Sequence, residues 1–166
     1  MTIREQLDLL GRCLNKAMQE VKGRAYPAGD VPHILDELRT KPGAPSCGVM
    51  FWSEEPVGDY TELGKVLREF HLVISRGKGM KLVSGESITQ GAGGGPPMAD
   101  LVELARDTSL AIRLEDEQGE LRIPVYRGTG PFQVEGLLLD AFEIKVALFG
   151  QNVVQGGPEE DQGGQL

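Results

Sequence analysis

The sequence predicts an α+β domain in which helices pack on one face of a small antiparallel sheet. Two stretches repeat apolar residues every three or four positions, as amphipathic helices do. Others alternate apolar and polar residues, as half-buried strands do. The predicted order along the chain is α-(α)-β-β-α-β-β, where the bracketed helix is short. With 166 residues, 40% of them hydrophobic, the chain is large enough for one domain with its own core.

The first helix is predicted over residues 2–21. Thr2 is a favourable N-cap, and Glu5 three residues later completes a capping box. Gly23 follows the helix and ends it. Its apolar face consists of Ile3, Leu7, Leu10, Leu14, Ala17, Met18 and Val21.

A second, short helix is predicted over residues 31–39, with Asp30 as its cap and Pro32 in its first turn. A loop follows at residues 40–46 because that segment is rich in proline and glycine.

Two strands come next. Residues 48–52 form a short apolar run that is typical of a buried strand. Residues 53–59 are predicted to be a loop, since they contain two acids, a proline and a glycine. Residues 66–74 then alternate with period two, which indicates a longer strand.

Residues 85–97 consist of glycine, proline and small polar residues, and they predict a flexible segment. They lead into a third helix over residues 98–112, which has one apolar face. An acidic turn is expected at residues 115–119.

The last part of the domain is predicted to be two strands. The strand at residues 121–126 contains Pro124, which places it at a sheet edge or at a bulge. Residues 128–131 read as a turn. The strongest strand pattern covers residues 142–148, and its opening part is expected to bulge at Gly136.

The composition divides the chain into two parts. Residues 1–150 form the predicted domain, and residues 151–166 form an acidic, glycine-rich C-terminal tail that we expect to be disordered in the free protein. The net charge of −8 and the scattered basic residues argue against a protein that grips nucleic acid. The densest basic run, which includes Arg76 and Lys78, is typical of a solvated loop.

We expect an intracellular protein with two free thiols, Cys13 and Cys47, because the chain opens without an apolar leader and the cysteines are far apart. No run of about 18 apolar residues is present, so we expect no membrane partner.

The search for catalytic chemistry predicts no enzyme, no metal and no cofactor. Residues 91–97 are glycine-rich and precede a helix, but they lack the Lys and Ser/Thr of a phosphate-binding loop. The cysteines and the two histidines, His33 and His71, include no closely spaced pair of metal ligands. We expect His33 to be exposed and His71 to be half-buried and hydrogen-bonded.

Binding surfaces are the remaining candidates. Trp52, the single tryptophan, lies at a strand end, where it is either a core residue or an interface anchor. The Pro124 strand is a candidate sheet edge for binding. The full set of predicted interface residues is Trp52, Arg76, Lys78, Gly93, Gly94, Pro124 and Tyr126.

The layout resembles the tail terminator (tail-completion) proteins of long-tailed bacteriophages, which are small α+β proteins that open with an amphipathic helix. The resemblance covers most of residues 1–150 and rests on element order. The segments that carry it are residues 2–21, the hairpin at 48–75, the helix at 98–112 and the arm at 131–149 with its final strand Asp140-Ala141-Phe142-Glu143-Ile144-Lys145-Val146.

This resemblance implies a homohexameric ring that caps the tail tube and offers a docking surface to the head–tail connector. It also implies the host cytoplasm during assembly, the virion tail or neck afterwards, and no catalytic residues. The negative charge suits a lumen through which DNA passes without being held. Other interpretations stay open: another neck or connector protein, a cytoplasmic adaptor that binds a peptide along a sheet edge, or a small enzyme whose site assembles from scattered residues.

Overall fold

The computed structural model of the protein describes residues 1–41, 43–58, 64–77, 85–91 and 95–151, and it confirms the α+β class. The helices of the described residues are α1 (Ile3–Met18), α2 (Val31–Thr40), α3 (Gly85–Thr89) and α4 (Met98–Leu110). The strands are β1 (Arg24–Pro27), β2 (Ser46–Pro56), β3 (Lys65–Ser75), β4 (Leu114–Glu115), β5 (Leu121–Arg122), β6 (Val125–Val134) and β7 (Leu137–Gln151). The predicted tail lies outside the described residues except for Gln151, which ends β7.

The central sheet of the described chain has five strands in the order β1-β2-β3-β7-β6. The pairs β2–β3, β3–β7 and β7–β6 are antiparallel, but β1 runs parallel to β2. The expectation of a purely antiparallel sheet is therefore wrong, and the sheet is mixed. Strand β1 was missed because four residues are too few for an alternating pattern to stand out.

The helices cover both faces of this sheet, whereas one face was expected. Helices α1 and α4 pack on the first face, where alternate residues of β3 (Phe70, Leu72 and Ile74) join the larger core. Helix α2 packs on the second face, where Ile34 and Leu38 belong to a smaller core with Met50, Val73, Phe132 and Leu139. The sequence gives the apolar edge of α2 but not the face that it covers.

The capping box of α1 is confirmed. The Glu5 backbone N–H donates to Thr2 Oγ1 at 3.1 Å, and the Thr2 N–H donates to Glu5 Oε1 at 2.7 Å. The helix ends at Met18, and residues Gln19–Val21 tighten into a 3₁₀ turn.

The β6–β7 hairpin differs from its prediction in two ways. Residues 128–131, expected to be a turn, are part of β6, because an edge strand tolerates Pro131 and the irregular register there accommodates Gly128 at φ +116°. The turn lies instead at Glu135 and Gly136, both with positive φ (50° and 83°), as a two-residue type I′ hairpin requires. The bulge expected at Gly136 is therefore a tight turn.

Strand β2 runs to Pro56, so the loop expected at residues 53–59 begins later than predicted. The two acids at its end stay in the strand because each faces a cation. Glu54 binds Arg68 at 2.7 Å on one face, and Glu55 binds Arg127 at 3.1 Å on the other.

On the outward side of the edge strand β1, no backbone N–H is available to bind an added strand. Alternate residues face β2, since the Arg24 N–H donates to Pro45 O and the Ala28 N–H to Val49 O. Of the two that face outward, Ala25 donates its N–H to Asn15 Oδ1 at 3.0 Å, and Pro27 has no N–H. This edge offers no backbone donor to an added strand.

A buried arginine fastens the N-terminus to the sheet. The Arg68 side chain is 1% exposed, and its Nε donates to Glu54. Its Nη1 donates to the Met1 carbonyl at 2.7 Å and to Gln6 Oε1 at 3.0 Å. Gln6, fully buried, donates in turn to the Phe149 carbonyl of β7 at 2.9 Å.

We predict that Glu54→Ala destabilises the protein far more than Glu55→Ala, although the two acids are neighbours. Glu54→Ala removes the carboxylate that pairs with a buried guanidinium, which lowers the free energy of unfolding by about 3 kcal/mol or more. Glu55→Ala removes an exposed pair and costs about 1 kcal/mol or less. Urea unfolding of both variants measures the difference, and equal costs would contradict this account of Arg68.

Candidate functional site

Large apolar side chains lie exposed mainly along the β5–β7 side of the described chain. Leu121 and Ile123 are 63% and 61% exposed, and Leu137 and Leu138, just after the β6–β7 turn, are 58% and 41% exposed. Tyr126 at the start of β6 is 44% exposed. They form two groups at opposite ends of the β6–β7 hairpin, since Val125 pairs with Ala147 and Val134 pairs with Leu137. Exposed apolar side chains of this size are candidates for contact with another protein.

Trp52 is exposed by 55%, so its interpretation as a core residue is wrong, while its role as an interface anchor stays a prediction. The register of β2 and β3 shifts between Phe51 and Ser53, which places Trp52 at a bulge. Its indole stacks on the ring of His71, with the centroids 4.4 Å apart and the planes 12° from parallel. The imidazole therefore supports one side of an indole that is open to solvent.

His71 is hydrogen-bonded to two carboxylates, which confirms its predicted hydrogen bonding. It is more buried than expected, with an exposed fraction of 2%. Its Nε2 lies 2.7 Å from Glu69 Oε2, and its Nδ1 lies 3.0 Å from Glu143 Oε2. Glu69 lies two residues before His71 on the same face of β3, and Glu143 lies on the neighbouring strand β7. We call Trp52, His71, Glu69 and Glu143 the Trp52 patch.

The electrostatics of this patch favour a charged imidazole. Burial by itself lowers the pKa of His71, but the hydrogen bonds to Glu143 and Glu69 outweigh burial and raise that pKa above its ordinary value of 6.5. The hydrogen bond from His71 lowers the pKa of Glu143, and Lys145 adds to that effect. Arg127 lies 3.8 Å from Glu69 and supplies a further positive charge.

Of the other predicted interface residues, the three that the structure describes, Arg76, Pro124 and Tyr126, are not part of the Trp52 patch. Lys78, Gly93 and Gly94 lie outside the described residues. Pro124 is buried between β5 and β6, and its interface role stays a prediction. The strand predicted there is interrupted because proline lacks an N–H. Tyr126 is exposed on the edge strand β6, and its hydroxyl lies 2.6 Å from Thr129 Oγ1.

Arg76 is buried, so its interpretation as part of a solvated loop is wrong, while its interface role stays a prediction. Its Nη1 lies 3.5 Å from Asp140 Oδ2, and its Nε donates to the Pro96 carbonyl at 3.0 Å. The side chains of this ion pair are only 2% and 4% exposed. Asp140 Oδ1 is buried without a hydrogen-bond partner, so Asp140 depends strongly on Arg76.

A cleft of about 330 Å³ lies near the end of β7, lined by side chains that include Lys65, Arg113 and Arg122. Asp116 is one of the acids that line the cleft, and its carboxylate is already engaged in hydrogen bonds within the protein. Its Oδ1 accepts the backbone N–H groups of Gln118 and Glu120, and its Oδ2 accepts from Arg122. The hydrogen bond from the Glu120 backbone N–H is the largest cause that holds the pKa of Asp116 below its ordinary value, and the Arg122 hydrogen bond adds to it.

The cysteines and histidines lie apart. Cys47 is buried, and burial raises the pKa of its thiol to about 12, whereas Cys13 is partly exposed on α1. The His33 side chain is 43% exposed, as expected. Among the described ranges, no group of three or more His, Cys, Asp or Glu side chains is arranged to hold a metal ion. None of the helices in those ranges combines the length and the apolar character needed to cross a bilayer.

Comparison with known proteins gives no family: no protein-family model matches the chain, and no curated protein matches it significantly in sequence.

We predict that the contribution of His71 to stability falls as the pH rises. Because its pKa is raised in the folded chain, protonation of His71 stabilises the fold below pH 6.5, and this contribution is lost as the pH rises through the folded pKa. The lowered pKa of Glu143 adds stability above pH 4.5 that is lost in acid. His71→Asn should therefore reduce the melting temperature more at about pH 5.5 than at about pH 8.5.

Leu121→Asn, at an exposed position without a titratable group, is the control, and its effect on the melting temperature should be the same at the two pH values. A His71→Asn deficit that grows toward alkaline pH would contradict the assignment of these hydrogen bonds.

We predict that Arg76→Ala costs about 3–5 kcal/mol of stability, because it leaves the buried Asp140 carboxylate without its cation. Arg106→Ala, which breaks an exposed pair with Asp107, should cost far less. The double replacement Arg76→Met with Asp140→Leu should cost less than Arg76→Ala alone. Denaturant unfolding tests all three, and a double variant less stable than Arg76→Ala would show that the ion pair itself is needed.

Proposed function

We propose that this chain is a structural assembly protein of the tail-terminator type, which forms a ring that caps a phage tail tube and offers a docking surface to the head. The observation that carries the proposal is the set of exposed apolar side chains along β5–β7. A protein that functions only inside an assembly needs such a surface, and a free monomer gains nothing from it. The side chains concerned are Leu121, Ile123, Tyr126, Leu137 and Leu138.

Two further features support this proposal. The order of the larger elements, from α1 through the β2–β3 hairpin and α4 to the β6–β7 hairpin, is the order on which the resemblance rests. The net charge of −8 suits a ring around passing DNA, because a negative lumen repels phosphate and does not hold it. The partners proposed are further copies of the chain, a tail tube protein and a head–tail connector protein.

A neighbouring role, as another neck or connector component, is compatible with the same acidity and the same exposed surface. It differs in its partner, since a connector binds filled heads and a terminator binds tube ends. The first measurement below separates the two.

A second class of function is favoured by strand β6. This strand has ten residues and lies at the edge of the sheet, with Tyr126 exposed on it. An open edge of this length is suited to strand addition by an extended peptide. An adaptor of this kind is a monomer that recognises a short segment.

We predict that the purified full-length chain self-associates into closed rings, either free in solution or on tube ends. Light scattering over a range of concentrations gives the mass, and electron microscopy shows the shape. The chain is then mixed with tail tubes that lack a terminator, with capped tubes and filled heads as controls. Binding at uncapped ends alone supports the terminator role, and binding to filled heads alone supports the connector role.

A chain that stays monomeric and binds neither structure would overturn the assembly proposal. Binding of an extended peptide by that monomer would then support the adaptor.

A further inference from the structure

Two complementary features lie at opposite edges of the same sheet. The first is the tip of the β6–β7 hairpin, which we define as residues 134–138. The second is a groove of about 400 Å³ between α1 and the edge strand β1, which we call the α1–β1 groove.

The hairpin tip carries two exposed leucines. Leu137 and Leu138 are adjacent in a strand, so their side chains point to opposite faces. They are exposed by 58% and 41%, so both faces of the strand are open at these two positions, while Val134 packs against the smaller core. The two-residue turn at Glu135 and Gly136 fixes the tip in one conformation and places an acidic side chain at its end.

The α1–β1 groove has an apolar floor and a polar rim that carries two arginines and one aspartate. Leu7 and Gly11 of α1 face Ala25 and Pro27 of β1 across it. An atom added at Gly11 as a Cβ meets nothing within 4 Å, so the groove is open at its centre. The rim carries Arg4 and Arg12, of which Arg12 pairs with Asp8, while Arg4 makes no ion pair with any described residue.

An incoming strand does not pair with the β1 edge through backbone hydrogen bonds. The outward donors of β1 are already taken by Asn15 or absent at Pro27, so an incoming strand finds no N–H groups there. Contact at this edge must come from side chains that enter the groove.

We propose that the hairpin tip of one copy of this chain binds in the α1–β1 groove of the next copy. Leu137 enters the apolar floor, and the Glu135 carboxylate faces Arg4 on the rim. The two surfaces differ, so the contact is heterologous, and a heterologous contact closes into a ring when the rotation per subunit allows it. This inference rests on the proposed ring and identifies the surface that builds it.

Cross-linking tests the contact directly in the full chain. Cys13 is first replaced by serine, because it is partly exposed, while the buried Cys47 is kept. Leu137→Cys protein is then mixed with Gly11→Cys protein under oxidising conditions. We expect a disulfide-linked pair from the mixture that neither variant gives at the same rate alone. Leu121→Cys, which is equally accessible, is the control for random collision.

Substitutions that leave the monomer intact test the energetics. Gly11→Trp fills the groove, and Gly11→Ala leaves it open and favours the helix. We expect Gly11→Trp and Leu137→Glu to weaken self-association by roughly tenfold or more. Gly11→Ala should leave it unchanged. The charge reversal Glu135→Arg should also weaken it, and Arg4→Glu in the same chain should restore it.

The outcomes separate this inference from the proposed function. Rings that form equally well from Gly11→Trp and Leu137→Glu protein overturn the inference and leave the ring proposal standing. Cross-linking of Leu121→Cys as fast as Leu137→Cys also overturns it. A wild-type chain that binds tube ends but gives no specific cross-link, in solution or on those ends, removes this contact and keeps the terminator role.

Discussion

The burial of one guanidinium, that of Arg68, determines how the rest of the molecule fits together. A charge that is 1% exposed is tolerated only where its donors are satisfied, and here they are met by β2, by the first turn of α1 and by the Met1 carbonyl. Gln6 in turn donates a hydrogen bond to the Phe149 carbonyl, near the end of β7. The start of α1 is thereby fixed over the sheet, and with it the helical wall of the α1–β1 groove.

The two faces of the sheet are covered in different ways. The first face is closed by the apolar sides of α1 and α4. On the second face, the one helix of the described residues is α2, which has ten residues and covers one end of the strands. The end that no described helix covers carries polar groups bound to one another, with Trp52 stacked above His71. A sheet face without a helix stays stable in this way because its buried polar atoms have partners.

The sequence predicted the elements whose patterns are long and regular. Helices α1 and α4 and strands β3 and β7 follow clear periods, and the Thr2–Glu5 capping box is visible as a pair of residue types. Strand β1 is too short to show a period. Residues 128–131 have the composition of a turn, and only their pairing with β7 makes them a strand.

The sites were harder to predict because they depend on register. Glu69 and His71 lie two residues apart, so their shared face could have been inferred, but Glu143 joins them only through the β3–β7 pairing. The exposure of Trp52 follows from a bulge, which an apolar run does not reveal. The burial of Arg76 depends on Asp140, which is distant in sequence. Finally, the edge at β1 limits how copies can pair through their backbones, because β6 can pair with β6 of a second copy while β1 offers no N–H to an added strand. The double sheet that results presents β1 at both ends, so within the described strands a third copy finds no N–H donor there.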